Sequence, residues 1–124
     1  EMRAESGGYT FRIRVCKADG GIIPSNNYEK WFDYDKIKQG LCLRTRRDGD
    51  FFVIDAQGHR KKFNDFCKNE KIPEADRDGI VLLANDSSHI AWAVGYRISE
   101  DVKITEQTKR ILQIKVSVEE DNGR

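Results

Sequence analysis

Residues 41–72 read LCLRTRRDGD FFVIDAQGHR KKFNDFCKNE KI, and the spacing of their apolar positions changes partway along. Leu41, Leu43 and Thr45 alternate with Cys42, Arg44 and Arg46, and residues 51–54 follow Asp48-Gly49, so the first half predicts extended chain. An Asp-Gly pair between two extended runs predicts a hairpin, here with a loop longer than two residues. From Lys61 the period becomes helical. Phe63, Phe66 and Cys67 fall at i, i+3 and i+4, with Lys61, Lys62, Lys68 and Lys71 off that stripe. Pro73 cannot continue a helix, so it should stop near Lys71 or Ile72, with residues 74–78 making one more turn.

Working outward, Tyr9, Phe11, Ile13 and Val15 alternate with Thr10, Arg12, Arg14 and Cys16 and predict a half-buried strand. Trp31, Phe32 and Tyr34 predict another, ending at Asp35. Residues 80–84 read as a strand, 85–88 as a turn, and Ile90, Trp92 and Val94 alternate with Ala91 and Ala93 in a further strand. Residues 105–109 predict a helical turn before a closing strand over 111–118, where β-branched residues are dense. Many strands around one basic helix predict an α+β domain with a mainly antiparallel or barrel-like sheet. Residues 1–8 are polar and aperiodic and read as a flexible lead-in, 9–118 as a single domain, and 119–124 as a frayed tail.

Composition sets the outer limits. Of 124 residues, 35% are charged and the net charge is +1. Leu, Ile, Val and Phe number 30, about 24% of the chain, above the ~20% below which a core does not offset chain entropy. No uninterrupted apolar run exceeds five residues, against about 20 for a membrane helix, and no charged-then-apolar leader opens the chain. The expectation is a cytoplasmic protein with no membrane partner. Cys16, Cys42 and Cys67 are odd in number, with no Cys-x-x-Cys and no His at ligand spacing, which fits reduced thiols better than a disulfide framework or a zinc site.

The charge is unevenly spread. Residues 36–72 carry 10 basic and 5 acidic side chains, whereas residues 1–35 carry 5 and 6. In a strand Arg44 and Arg46 would share a face, two guanidinium forks suited to successive phosphates, with lysines of the following helix beside them. The alternative is that these cations pair with Asp48, Asp50, Asp55 and Asp65 and serve solubility. Ser6-Gly7-Gly8 lacks the preceding strand and following helix of a phosphate loop. His59 and His89 have no ligand or catalytic pattern beside them, and Glu74, Asp76 and Asp78 read as a solvated acidic face. Nothing nominates a catalytic group or a metal site. Trp31, Phe32 and Trp92 could stack on bases, but their apolar surroundings favour core packing.

As a string the residues go further. Leu43 to Asp50, Lys61 to Pro73, Arg77-Asp78 with Leu82-Leu83, Trp92 to Ser99, and Thr105 to Lys109 together resemble the C-terminal domain of bacterial tRNA(Ile)-lysidine synthetase, in order and spacing. Asp48 and Val81 stand where that pattern has proline, and residues 1–34 match no motif of it. The resemblance implies a fold similar to a domain of the phenylalanyl-tRNA synthetase β chain. It also implies a parent enzyme that uses ATP with Mg to adenylate the wobble cytidine of an isoleucine tRNA with a CAU anticodon, which lysine then attacks. That chemistry would belong to an N-terminal domain with a Ser-Gly-Gly-x-Asp-Ser loop, which Ser6-Gly7-Gly8-Tyr9-Thr10 is not, so no cofactor is expected in this part of the protein.

The expectation is therefore a tRNA-docking domain whose partners are tRNA and the catalytic N-terminal domain of the same chain. Arg44, Arg46, Arg47, Lys61, Lys62, Lys68 and Lys71 are the expected phosphate contacts, with Arg97, Lys103 and Lys109 as lesser ones. The alternative is a protein-interaction or homodimerisation module with no direct RNA contact.

Overall fold

A computed structural model of the chain describes residues 2–24, 26–37, 40–85 and 87–118. Strand makes up 42% and helix 16%, an α+β fold built mostly from antiparallel sheets. The first sheet contains β1 (Met2–Ser6), β2 (Tyr9–Lys17), β3 (Glu29–Asp33) and β10 (Arg110–Val118). Its order is β1-β2-β10-β3. The second contains β4 (Cys42–Arg44), β7 (Leu82–Ala84), β8 (Ile90–Ala93) and β9 (Arg97–Ile98), in that order. β5 (Phe51–Val53) and β6 (Arg60–Lys62) form a two-stranded ribbon. The helices are α1 (Tyr34–Ile37), α2 (Phe63–Asn69) and α3 (Glu74–Arg77), with a 3-10 turn at Glu100–Val102.

Two apolar clusters stack these pieces into three layers. Phe11, Phe32, Leu112, Ile114 and Val116 of the first sheet meet Val81, Leu83, Trp92 and Val94 beside the second. The other face of the second sheet, Leu82, Ala84, Ile90 and Ala93, packs on Phe52 of the ribbon and on Phe63, Phe66 and Cys67 of α2. The apolar runs at 80–84 and 90–94 therefore lack a polar face because β7 and β8 are covered on both sides. This is the burial that a strand in a middle layer imposes.

Several expectations are corrected. Residues 2–6 are not a lead-in: Ser6 stands opposite Tyr9, and Gly7 and Gly8, at φ +60 and +84, make the two-residue turn that joins β1 to β2. A Cβ on Gly7 would also collide with Val81 Cγ2. The Asp48-Gly49 hairpin does not form, since β4 pairs with β7 and β5 with β6. A fully buried β7 needs a neighbour on each side, and β4 supplies one. The strand through Trp31 stops at Asp33, whose Oδ1 accepts the Asp35 N–H at 3.1 Å and starts α1. Lys61 and Lys62 belong to β6 rather than to the helix. Residues 105–109 make a turn closed by the Thr105 N–H to Thr108 Oγ1 (2.8 Å), and the helical turn lies earlier, at Glu100–Val102. The tail at 119–124 lies outside the described residues.

Candidate nucleic-acid interface

The expected site depends on the loop that leaves β4, and one ion pair shapes that loop. Arg44 Nη1 and Nη2 donate to Asp50 Oδ2 and Oδ1 at 2.9 and 2.8 Å, and the Arg47 N–H donates to the same carboxylate at 2.8 Å. The two side chains are 8% and 1% exposed, so this fork is used inside the protein. Arg46 lies beyond the end of β4 and does not continue its face. Its Nε donates to Asp78 at 2.7 Å, Nη1 to Asn64 at 2.8 Å and Nη2 to Glu74 at 3.1 Å. The hydrogen bond it donates to Asp78 is the chief reason its guanidinium is held above its ordinary pKa. Arg46 thus ties the loop to α2 and α3, and the acidic residues after Pro73 have a structural use.

With those two committed, Arg47 is left pointing outward. It lines one shallow depression with Asp50, Lys62 and Asn64 and a second with Arg46, Asp48, Asn64, Glu74 and Asp78. Lys62, the last residue of β6, is exposed, and Lys61 alternates to the other side and is half-buried. Asn64 and Lys68 are four residues apart on α2 and share a stripe facing away from Phe63, Phe66 and Cys67. Lys71 closes the helix at φ +58 and is exposed. Among the described residues no carboxylate is paired with Arg47, Lys61, Lys62, Lys68 or Lys71. Arg47 and Lys62 therefore share one depression, Lys68 and Lys71 are exposed on and just beyond α2, and Lys61 is turned to the other side of β6.

The remaining three go elsewhere. Arg97 and Lys103 both pair with Glu100. Burial, helped by Lys103 nearby, pushes the Lys30 ammonium below its ordinary pKa. Lys109 is exposed just before β10, in the layer of the first sheet. Of the aromatics, Phe32 and Trp92 are fully buried, with ring centres 5.9 Å apart, whereas Trp31 is half-buried on the outer side of the first sheet. Arg60, two residues before Lys62, lies 4.1 Å over the Phe51 ring.

A second set of cations escaped the charge windows. Arg3, Arg12, Arg14 and Lys115 project from the outward face of the first sheet, and Arg12, Arg14, Gln113, Lys115 and Glu29 line a depression there. The i, i+2 spacing of Arg12 and Arg14 was the available signal, hidden by the acidic residues that share their window. Among the described residues no group of three or more His, Cys, Asp or Glu side chains is placed to hold a metal ion.

Comparison with known proteins gives a consistent result. The family model described as the TilS substrate C-terminal domain matches residues 41–116. A tRNA(Ile)-lysidine synthase of Clostridium tetani is 42% identical over 101 residues, 82% of this chain and 21% of that protein. The protein of that name from Caldanaerobacter subterraneus is 42% identical over 92 residues, 74% of this chain and 20% of its own length. The one from Dehalococcoides mccartyi is 38% identical over 108 residues, covering 86% and 23%. The chain thus spans about a fifth of the length of these relatives. A crystal structure of a TilS C-terminal domain superposes with a TM-score of 0.70 at 22% identity, covering 93% of this chain and 88% of that one. At that identity the likeness establishes the fold.

Proposed function

Given that this chain belongs to the TilS substrate C-terminal domain family, we propose that it is the tRNA-docking part of a tRNA(Ile)-lysidine synthase. In this reading the ATP-dependent attachment of lysine to the wobble cytidine, with its Mg, belongs to the catalytic N-terminal domain of the same protein. Gly7-Gly8 is a β-turn between two strands and not a loop leading into a helix, so it is not a phosphate loop. The contribution of this domain is affinity and orientation.

The observation that carries the reading is that exposed Arg47 and Lys62 line one depression, where the Asp50 carboxylate is already taken by Arg44 and neither cation is ion-paired among the described residues, with Lys68 and Lys71 exposed on and just beyond α2. Cations held this way suit phosphates. They position a nucleic acid without reading its sequence, so identity must come from shape and from the rest of the enzyme. Arg44 and Arg46 drop out as contacts because their forks are already used.

The test is tRNA binding by the 124-residue chain across a salt series. Exchanging Arg47 and Lys62 for Gln should flatten the slope of log K against log salt by about 0.7–0.9 per lost contact. An unchanged slope removes this pair from the site. Concentration-dependent sedimentation without RNA, together with no tRNA binding, would favour the protein-interaction module instead.

A further inference from the structure

Three tyrosines meet at the end of the structure where β2 and β3 begin. Tyr9 opens β2, Tyr28 immediately precedes β3, and Tyr96 lies in the turn between β8 and β9. The Tyr9 and Tyr28 ring centres are 6.2 Å apart, and Tyr96 stands edge-on to Phe66 of α2 at 6.1 Å. Burial, then Tyr28 beside it and Tyr96, raise the Tyr9 hydroxyl above its ordinary pKa, so the three phenols share one rim. The backbone around Tyr28 is pinned. Its N–H donates to Asn26 Oδ1 at 2.8 Å, its carbonyl accepts the Val116 N–H at 2.8 Å, and the Asn27 carbonyl accepts the Gly95 N–H at 3.2 Å. Gly95, at φ +89, leaves room for the side chain, since a Cβ there would stand 3.0 Å from Tyr28 Oη. Even so, Tyr28 is 45% exposed and Tyr96 38%. Lys30 follows Tyr28 on the same face of β3, opposite Ile114 and before the fully buried Phe32. It is half-buried, and among the described residues no carboxylate pairs with it. Glu100 is taken by Arg97 and Lys103, and alternation turns Glu29 to the opposite face of the strand.

We propose that this rim holds unpaired nucleotides of RNA, with bases against the Tyr28 and Tyr96 rings and the adjoining phosphate on the Lys30 ammonium. Stacking on an aromatic ring needs an open base face, which a paired helix does not offer, so the site selects single strands, loops or ends. Tyr28 and Lys30 are two residues apart on one face of extended chain, about 6.6–6.8 Å, near enough for one nucleotide to engage both. The pinned backbone sets Tyr28 in place before the ligand arrives, which lowers the ordering cost of binding. An anion at Lys30 also offsets the cost of keeping an ammonium half-buried without a carboxylate. The depression of Arg47 and Lys62 offers charge to any RNA, whereas the rim adds a preference for bases that are free to stack. This inference rests on the tRNA-docking reading above in taking RNA as the ligand.

The experiment measures binding of single-stranded oligouridylate, an RNA duplex and tRNA to the 124-residue chain over a salt series. Tyr28→Ala should weaken oligouridylate binding by about 5- to 140-fold, the worth of one stacked base, with a smaller loss for the duplex. Tyr28→Phe restores the ring and should recover the affinity. Lys30→Gln should flatten the log–log slope for oligouridylate by about 0.7. Circular dichroism with a melting curve checks that each variant folds, and Tyr28→Leu, which keeps apolar bulk without a flat ring, serves if Tyr28→Ala does not. Parent-like oligouridylate affinity in the ring-less variant, or equal losses for single strand and duplex, overturns the rim. An unchanged slope in Lys30→Gln overturns its phosphate contact and leaves that lysine as an inward charge guarding an edge strand. In each of these cases, tRNA binding that is weakened by Arg47→Gln with Lys62→Gln leaves the docking reading standing. Absence of tRNA binding by the parent chain at low salt overturns the docking reading, and oligouridylate binding that still falls in Tyr28→Ala would support the rim by itself.

Discussion

The Arg44 guanidinium grips the Asp50 carboxylate through two parallel hydrogen bonds of 2.9 and 2.8 Å, with both side chains nearly out of solvent. The Asp50 carbonyl also accepts the Phe63 N–H at 2.9 Å, so one residue fixes the loop after β4 and the start of α2. Removing one partner of such a buried pair leaves an uncompensated charge, which costs about 3–5 kcal/mol. Asp50→Ala should destabilise by that amount in urea unfolding. Arg44→Met combined with Asp50→Leu should recover most of it, since the lone charge is then gone.

Ser99 joins the ribbon to the second sheet. Its Oγ donates to the Ile90 carbonyl at 2.6 Å and accepts the Val53 N–H at 3.0 Å, fully buried. Ser99→Ala strands a donor and an acceptor, at about 1–3 kcal/mol each for an unsatisfied buried group. The midpoint of urea unfolding should fall with little change in its m-value, because the exposed area on unfolding is unaltered.

Lys71 occupies the left-handed position that ends α2, where its N–H reaches the Lys68 carbonyl (3.1 Å) and the Ile72 N–H reaches the Cys67 carbonyl (2.9 Å). That pattern favours glycine. A side chain there costs about 1–2 kcal/mol, and the greater freedom of glycine in the unfolded chain returns roughly 0.4–1 kcal/mol of it. Lys71→Gly should therefore raise stability by about 0–1.6 kcal/mol in thermal unfolding. Any loss of tRNA affinity in the same variant reports the missing charge.

His59 Nδ1 lies 2.7 Å from Asp55 Oδ2, while the His59 and Gln57 N–H groups donate to Oδ1. The His59 ring is the chief cause of an Asp55 carboxyl held below its ordinary range. A depressed folded value means that this contribution is fully present above the unfolded pKa and is lost as pH falls through the folded one. In His59→Ala the carbon shift of the Asp55 carboxyl should titrate at higher pH than in the parent, still below a free aspartate because the backbone donors remain. An unmoved midpoint would assign the whole shift to those backbone groups.

What was legible followed from local periodicity. The two-residue alternation from Tyr9 to Cys16 became β2, and the stripe of Phe63, Phe66 and Cys67 became α2 with Pro73 beyond its end. The errors came where pairing between distant residues decides. Residues 2–6 are extended because β2 offers a hydrogen-bonded edge, and β4 ignores its neighbour β5 in favour of β7, some 40 residues on.

The sequence by itself determined the α+β class, the basic character of residues 36–72 and, through five dispersed motifs, the family, because each depends on residue type and short-range spacing. Tertiary structure alone decided which cations are available. Arg44 and Arg46 look like the strongest phosphate ligands in the string, yet Asp50, Glu74 and Asp78 hold them. Arg12, which has 102 residues between it and Lys115, becomes its direct neighbour only when β2 and β10 pair. Coulombic attraction and repulsion depend on distance in space, and folding sets that distance with little regard to position along the chain.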